Sequence, residues 1–163
     1  MDQEIFREYD IRGIVDKNLT DDVVYEIGKA FATKMHEVGS EHIVTGRDGR
    51  NSSPTIEDSL SKGLQSGGAN VTSIGRVTTP MLYYATNRLN TGTGIMVTGS
   101  HNPPNYNGLK MMLAEETLSG KSIQDLYRII NNKVAPTGSG SQSELSLASE
   151  YSNEIVNQVE LAK

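Results

Sequence analysis

The sequence predicts an α/β fold: a mixed sheet of four strands, three parallel and one antiparallel, with helices on both faces. Three observations predict it. Short apolar runs of strand length alternate with longer segments carrying apolar residues at helical spacing, as parallel strands joined by right-handed crossovers do. The run 109–113 breaks this alternation, because only a loop separates it from the run 93–97. That connection is too short for a crossover, so the later run pairs antiparallel with the earlier one. The length, 163 residues, suits a single domain with its own core.

The elements follow in order. Residues 5–15 alternate apolar and polar side chains for several positions and read as extended. Thr20 with Asp21 and Asp22 starts a helix, a hydroxyl cap followed by carboxylates near the positive end of the dipole. Val23, Ile27, Ala30, Phe31, Met35 and Val38 give it one buried stripe, and Gly39 stops it. Residues 42–44 form a short strand that ends in Thr45-Gly46-Arg47-Asp48-Gly49-Arg50. Ser53-Pro54 opens a second helix, with proline suited to its first turn and Ile56, Leu60 and Leu64 inward. Gly67-Gly68 ends it; residues 71–77 are the second strand. Thr79-Pro80 starts a third helix with Met81, Leu82, Ala85 and Leu89 inward, and residues 93–97 are the third strand. Residues 120–132 form a fourth helix with Ile123, Leu126, Tyr127 and Ile130 on one side. A last helix spans about 146–162, with Ala148, Tyr151, Ile155 and Val159 apolar.

Composition excludes several classes. Hydrophobic residues are 36% and charged residues 21%, a globular balance, and the net charge of -5 argues against a basic nucleic-acid surface. The absence of cysteine removes disulfides and thiolate metal sites. The acidic start, Met1-Asp2-Gln3-Glu4, lacks the apolar core of a signal peptide. No apolar run approaches the ~20 residues of a membrane helix. The expected location is the cytoplasm, with no membrane and no nucleic acid as partner.

The most informative stretch is Thr98-Gly99-Ser100-His101-Asn102-Pro103-Pro104-Asn105-Tyr106-Asn107-Gly108-Leu109-Lys110. A serine sits where a core strand stops, a histidine adjoins it, and a lysine lies in the returning strand. The pattern resembles the phosphoserine loop of the alpha-D-phosphohexomutases, the phosphoglucomutase and phosphomannomutase superfamily, in the form of its bacterial dual-specificity branch. Tyr9-Asp10-Ile11-Arg12-Gly13 and Gly46-Arg47-Asp48-Gly49-Arg50 match further segments of that family. The resemblance implies an α/β/α sandwich built on a four-stranded mixed sheet. It also implies that Ser100 carries a phosphoryl group in the interconversion of hexose 1-phosphate and hexose 6-phosphate, of mannose or glucose, through a bisphosphorylated sugar. Hexose 1,6-bisphosphate would be the activator.

Each site residue has a plainer alternative. Ser100 is either the phosphoryl carrier or a turn-forming serine; the extended match favours the carrier. His101 donates to the phosphate or moves a proton, or else braces the loop. Lys110, in an otherwise apolar run, either faces solvent on an edge strand or meets an anion, since burying an unpaired ammonium is costly. Tyr9 and Arg12 bind substrate or phosphoserine by resemblance; the alternative for Arg12 is an ion pair with Asp10 or Glu8. Asp48 is one carboxylate, a weak metal ligand set, so its loop reads as structural, and Thr98, Asn102 and Asn107 read as braces of the serine loop.

The expected organisation is a phosphoserine domain over 1–133, a flexible connector over 134–145 and a C-terminal helix over 146–163 leading toward a second domain. The family's other motifs, an Asp-Gly-Asp-x-Asp-Arg metal loop, a Gly-Glu-x-Ser-Gly sugar loop and an Arg-x-Ser-Gly-Thr phosphate clamp, do not occur in the sequence. The resemblance thus implies one magnesium ion held by a phosphoryl oxygen on Ser100 and by carboxylates of an absent second domain. Domains two to four would be partners, and the chain alone would lack full mutase turnover. An interaction domain that kept the fold and a stand-alone phosphatase are the competing readings.

Overall fold

The computed structural model describes residues 1–133 and 137–159. After a short 3-10 turn at Gln3–Ile5, the order is β1 (Ile11–Ile14), α1 (Asp21–Glu37), β2 (His42–Arg47), α2 (Ser53–Ser66), β3 (Asn70–Arg76), α3 (Thr79–Arg88), β4 (Gly94–Val97), β5 (Tyr106–Leu113), β6 (Glu116–Thr117), α4 (Lys121–Asn132), β7 (Gln142–Glu144) and α5 (Ala148–Gln158). The capping expected at Thr20 is present, its hydroxyl accepting from the Val23 N–H. α2 carries proline in its first turn as expected, although its cap residue Ser52 makes no capping hydrogen bond.

The strands form one sheet in the order β1-β5-β4-β2-β3-β7, with β6 paired to β5. β2, β3 and β4 run parallel and β5 returns antiparallel to β4, as the sequence predicts. The sheet has seven strands among the described residues, not four. The three additions have separate causes. β1 lies antiparallel against the outer side of β5, with Ile11 opposite Leu109, both fully buried. β6 is a two-residue return of β5. β7, inside the span read as a connector, pairs parallel with β3 and has all three side chains exposed. Backbone pairing and polar links hold it, including Thr72 Oγ1 to Ser143 Oγ at 3.1 Å, so it carries no apolar signal.

Side chains alternate across the sheet. On one face Ile43, Val71, Ile95, Val97, Leu109 and Met111 pack under α1, α2 and α4 in the main core. On the other, Val44, Ile74 and Met96 meet Leu82 and Ala85 of α3 and Leu147 at the head of α5. This is the α/β/α arrangement. α5 begins two residues later than the sequence suggests and buries none of its own residues, with Ile155 and Val159 about half exposed. The predicted end of that helix at Ala162 lies outside the described residues. No helix of the described residues is long and apolar enough to cross a membrane.

Candidate active site

β2 and β4 are parallel neighbours, so the loops that leave their carboxyl ends emerge side by side, where open α/β sheets place ligands. One is 48–52; the other is 98–105, which holds Ser100. Asp48 ties them together. Its carboxylate accepts from Thr98 Oγ1 at 2.9 Å and the Gly99 N–H at 3.1 Å in the serine loop. It also accepts from Ser53 Oγ at 2.6 Å and the Arg50 N–H at 3.0 Å on its own side. Partial burial pushes the carboxyl pKa up, but these four donors outweigh it and hold the group below the usual carboxylate range.

Arg50 lies beneath the serine loop. Its guanidinium donates to the carbonyls of Ser100 (3.0 Å), Asn102 (2.7 Å), Pro103 (2.7 Å) and Tyr106 (3.0 Å), and its Nε faces Asp48 at 3.4 Å. The guanidinium lies so close to Gly99 that a Cβ there would stand 2.3 Å from its carbon, so any other side chain would push the guanidinium off its carbonyls. Asn107 fixes the far end of the loop: fully buried, it donates to Ser52 Oγ and Ser53 Oγ at 2.9 Å each. Asn102 donates to the Gly99 carbonyl at 2.8 Å, and Thr98 Oγ1 accepts the Ser100 N–H at 2.9 Å. The three expected braces all bond as braces.

At the tip, Ser100 is exposed and adopts φ +51°, a left-handed conformation uncommon for serine. Its Oγ lies 3.3 Å from Nδ1 of His101, also exposed. Arg12 reaches the same loop from β1, donating to Asn102 Oδ1 at 3.3 Å while pairing with Asp10 at 2.5 Å. The Asp10 pair and the approach to the loop are thus both present. Lys110 stands opposite Met96, on the α3 face, half-buried and with no hydrogen-bond or ion-pair partner among the described residues. Tyr9 is 70% exposed on the bend before β1 and likewise makes no hydrogen bond among them. The structure therefore joins Ser100, His101 and Arg12 through one loop, and leaves Lys110 and Tyr9 unbonded.

Residues 3–136 match the family model described as "Phosphoglucomutase/phosphomannomutase, alpha/beta/alpha domain I". The chain belongs to this phosphoglucomutase/phosphomannomutase family. It is 47% identical over 163 residues to a phosphoglucomutase of Neisseria gonorrhoeae, covering 99% of this chain and 35% of that protein. It is 42% identical over 159 residues to a phosphomannomutase/phosphoglucomutase of Pseudomonas aeruginosa, covering 98% and 34%. A phosphoglucomutase/phosphomannomutase family structure from Burkholderia thailandensis superposes with a TM-score of 0.95 at 38% identity, covering 100% of this chain and 37% of that one. The chain thus spans about a third of the length of the relatives it matches.

In this phosphoglucomutase/phosphomannomutase domain I, the loop of Asp48 and Arg50 is structural, as its sequence predicts, but the sequence holds no sign of how Arg50 grips its neighbour. Its four acceptors are main-chain carbonyls, which have no signature in side-chain pattern. Among the described residues no three histidines or carboxylates cluster as a metal site. Asp48 is spent on its four donors and faces inward. The residues present do not by themselves fit magnesium, which wants a near-octahedral oxygen shell.

Proposed function

We propose that this domain carries the transferable phosphoryl group of a phosphohexomutase on Ser100. The observation that supports this best is the exposed Ser100 Oγ, held in a left-handed turn within 3.3 Å of His101 Nδ1 on a loop fastened from below. Phosphoryl transfer needs positioning and charge neutralisation above all. From phosphoserine, the Oγ–P bond breaks as a hydroxyl oxygen of the hexose phosphate bonds to phosphorus, and that hydroxyl's proton ends on the departing Ser100 Oγ. The sugar is then a 1,6-bisphosphate. Its other phosphoryl group then leaves its sugar oxygen for Ser100 Oγ, whose proton passes to that oxygen, leaving the isomeric monophosphate.

His101 is placed to donate to the phosphoryl oxygens or to carry the proton. Arg12, already in contact with the loop, and Tyr9, free on the surface, bind substrate or phosphoserine. Lys110, with no partner among the described residues, supplies a cation to the migrating group. Magnesium would take a phosphoryl oxygen on Ser100 as one ligand, with carboxylates from a second domain as others. Mannose or glucose phosphates are the substrate class, and hexose 1,6-bisphosphate primes Ser100. A chain covering a third of its relatives' length supplies one reactant's site, and losing the positioning of the other removes ~7–11 kcal/mol of barrier reduction. Repeated turnover is therefore not expected from it; what remains is a single slow priming of Ser100, followed over long incubation with excess bisphosphate.

The test is phosphoryl uptake. Parent and Ser100→Ala chains are incubated with glucose 1,6-bisphosphate and magnesium, and intact masses are compared. The parent gains one phosphoryl group and the variant none. Equal gain by both, or none by the parent, rejects Ser100 as the carrier in this chain.

A further inference from the structure

We infer that Arg50 is the positioning residue that sets the Ser100 loop in its phosphoryl-accepting shape before any ligand arrives. This rests on Ser100 being the carrier. A guanidinium has five N–H donors in a fixed plane. Here four go to the carbonyls of Ser100, Asn102, Pro103 and Tyr106, and Nε faces Asp48. None is left for substrate, so Arg50 acts through the loop and not on the reacting atoms.

The consequence for Ser100 is geometric. Its carbonyl is drawn down toward Arg50 at 3.0 Å. In a trans peptide the N–H lies opposite the carbonyl, so the His101 N–H points away from the guanidinium. That N–H has no acceptor among the described residues, and it is open to a phosphoryl oxygen on the outer side of the loop. The same pull sustains the φ of +51° at Ser100, a conformation that persists only where the surroundings over-determine it. Gly99 lets the guanidinium approach, and Asp48 holds both partners, bonding Thr98 and Gly99 above and Arg50 beside it. A lysine, a point charge without the planar fork, cannot span four carbonyls.

The test uses the full chain with Arg50→Ala, Arg50→Lys and Arg50→Met. Amide hydrogen exchange is followed across residues 98–107 and across β2 and α1, and phosphoryl uptake from glucose 1,6-bisphosphate is timed by intact mass. The expected result is faster exchange confined to 98–107 and uptake slowed by about a hundredfold, the scale of a misplaced reacting group. Guanidinium ion, added well below denaturing concentration, restores slow exchange and uptake to the alanine variant; methylammonium does not, and the lysine variant behaves like alanine. Unchanged loop exchange and uptake in the alanine and methionine variants would overturn the inference, as would full activity of the lysine variant. Should the alanine variant not fold, the methionine variant, which keeps an unbranched apolar stem, decides. If the parent accepts no phosphoryl group, it is the Ser100 reading that fails. Loop exchange then judges Arg50's hold alone.

Discussion

At the scale of single residues, Asp48 matters most after Ser100. Its pKa is lower in the folded chain than in the unfolded one, because four donors address the carboxylate. Its contribution to stability is therefore full above the unfolded pKa and lost as pH falls through the folded one. Acid titration should loosen residues 98–107 before the central strands, read as early amide exchange in that loop. Asp48→Asn should abolish this early acid phase and cost about 1.5–3 kcal/mol at neutral pH in urea unfolding, the range for hydrogen bonds to a charged group. The motif marks Ser100, His101 and Arg12 in the sequence; in the fold Ser100 lies beside His101, and Arg12 of β1 bonds Asn102 of the same loop. Asp48 was legible as structural because one carboxylate makes a poor metal site. Arg50's grip was not legible, since its acceptors are carbonyls set by backbone path. Tyr9 stands out by resemblance, Lys110 also as a lone cation in an apolar run; neither has a partner among the described residues.

At the scale of elements, α1 and α2 come together where glycine removes a side chain. A Cβ on Gly63 would stand 2.1 Å from the Tyr25 carbonyl oxygen, and one on Gly28 2.6 Å from that of Leu60. Both obstacles are backbone, which cannot rotate away. Gly63→Ala should destabilise by about 1–3 kcal/mol or more, and Gly28→Ala by less, measured as shifts in urea midpoint at constant slope. The helices themselves were legible from their periodicity and caps, and the four central strands from their apolar runs. The edges were harder. β7 is Gln142-Ser143-Glu144, wholly exposed, and β6 is two residues long. Neither carries the alternation that marks a half-buried strand, so tertiary pairing alone defines them.

At the scale of the whole molecule, the two faces of the sheet are unequally covered. One carries the main core; the other carries α3 and the head of α5. Beyond Leu147, α5 is held by edge-on stacking of Tyr151 on Tyr84, with ring centroids 5.2 Å apart, and by Glu150, which pairs with Arg88 and accepts from Tyr84 Oη. Its apolar residues Ile155 and Val156, and Val159 just past its end, are exposed. Glu150→Ala should therefore speed amide exchange throughout α5 while leaving the global unfolding midpoint and the protection of β2 and β4 unmoved. A fall in the global midpoint would place α5 inside the cooperative unit.

The pairing of Ile11 with Leu109 carries a consequence for how the chain is made. The first strand to leave the ribosome docks on one synthesised near the end of the domain. Until that later strand appears, residues 11–14 have no neighbour to register against, and Arg12 cannot reach Asn102. Vectorial synthesis thus delivers α1 to α3 and the parallel strands β2 to β4 before the β1–β5 margin beside the serine loop can close.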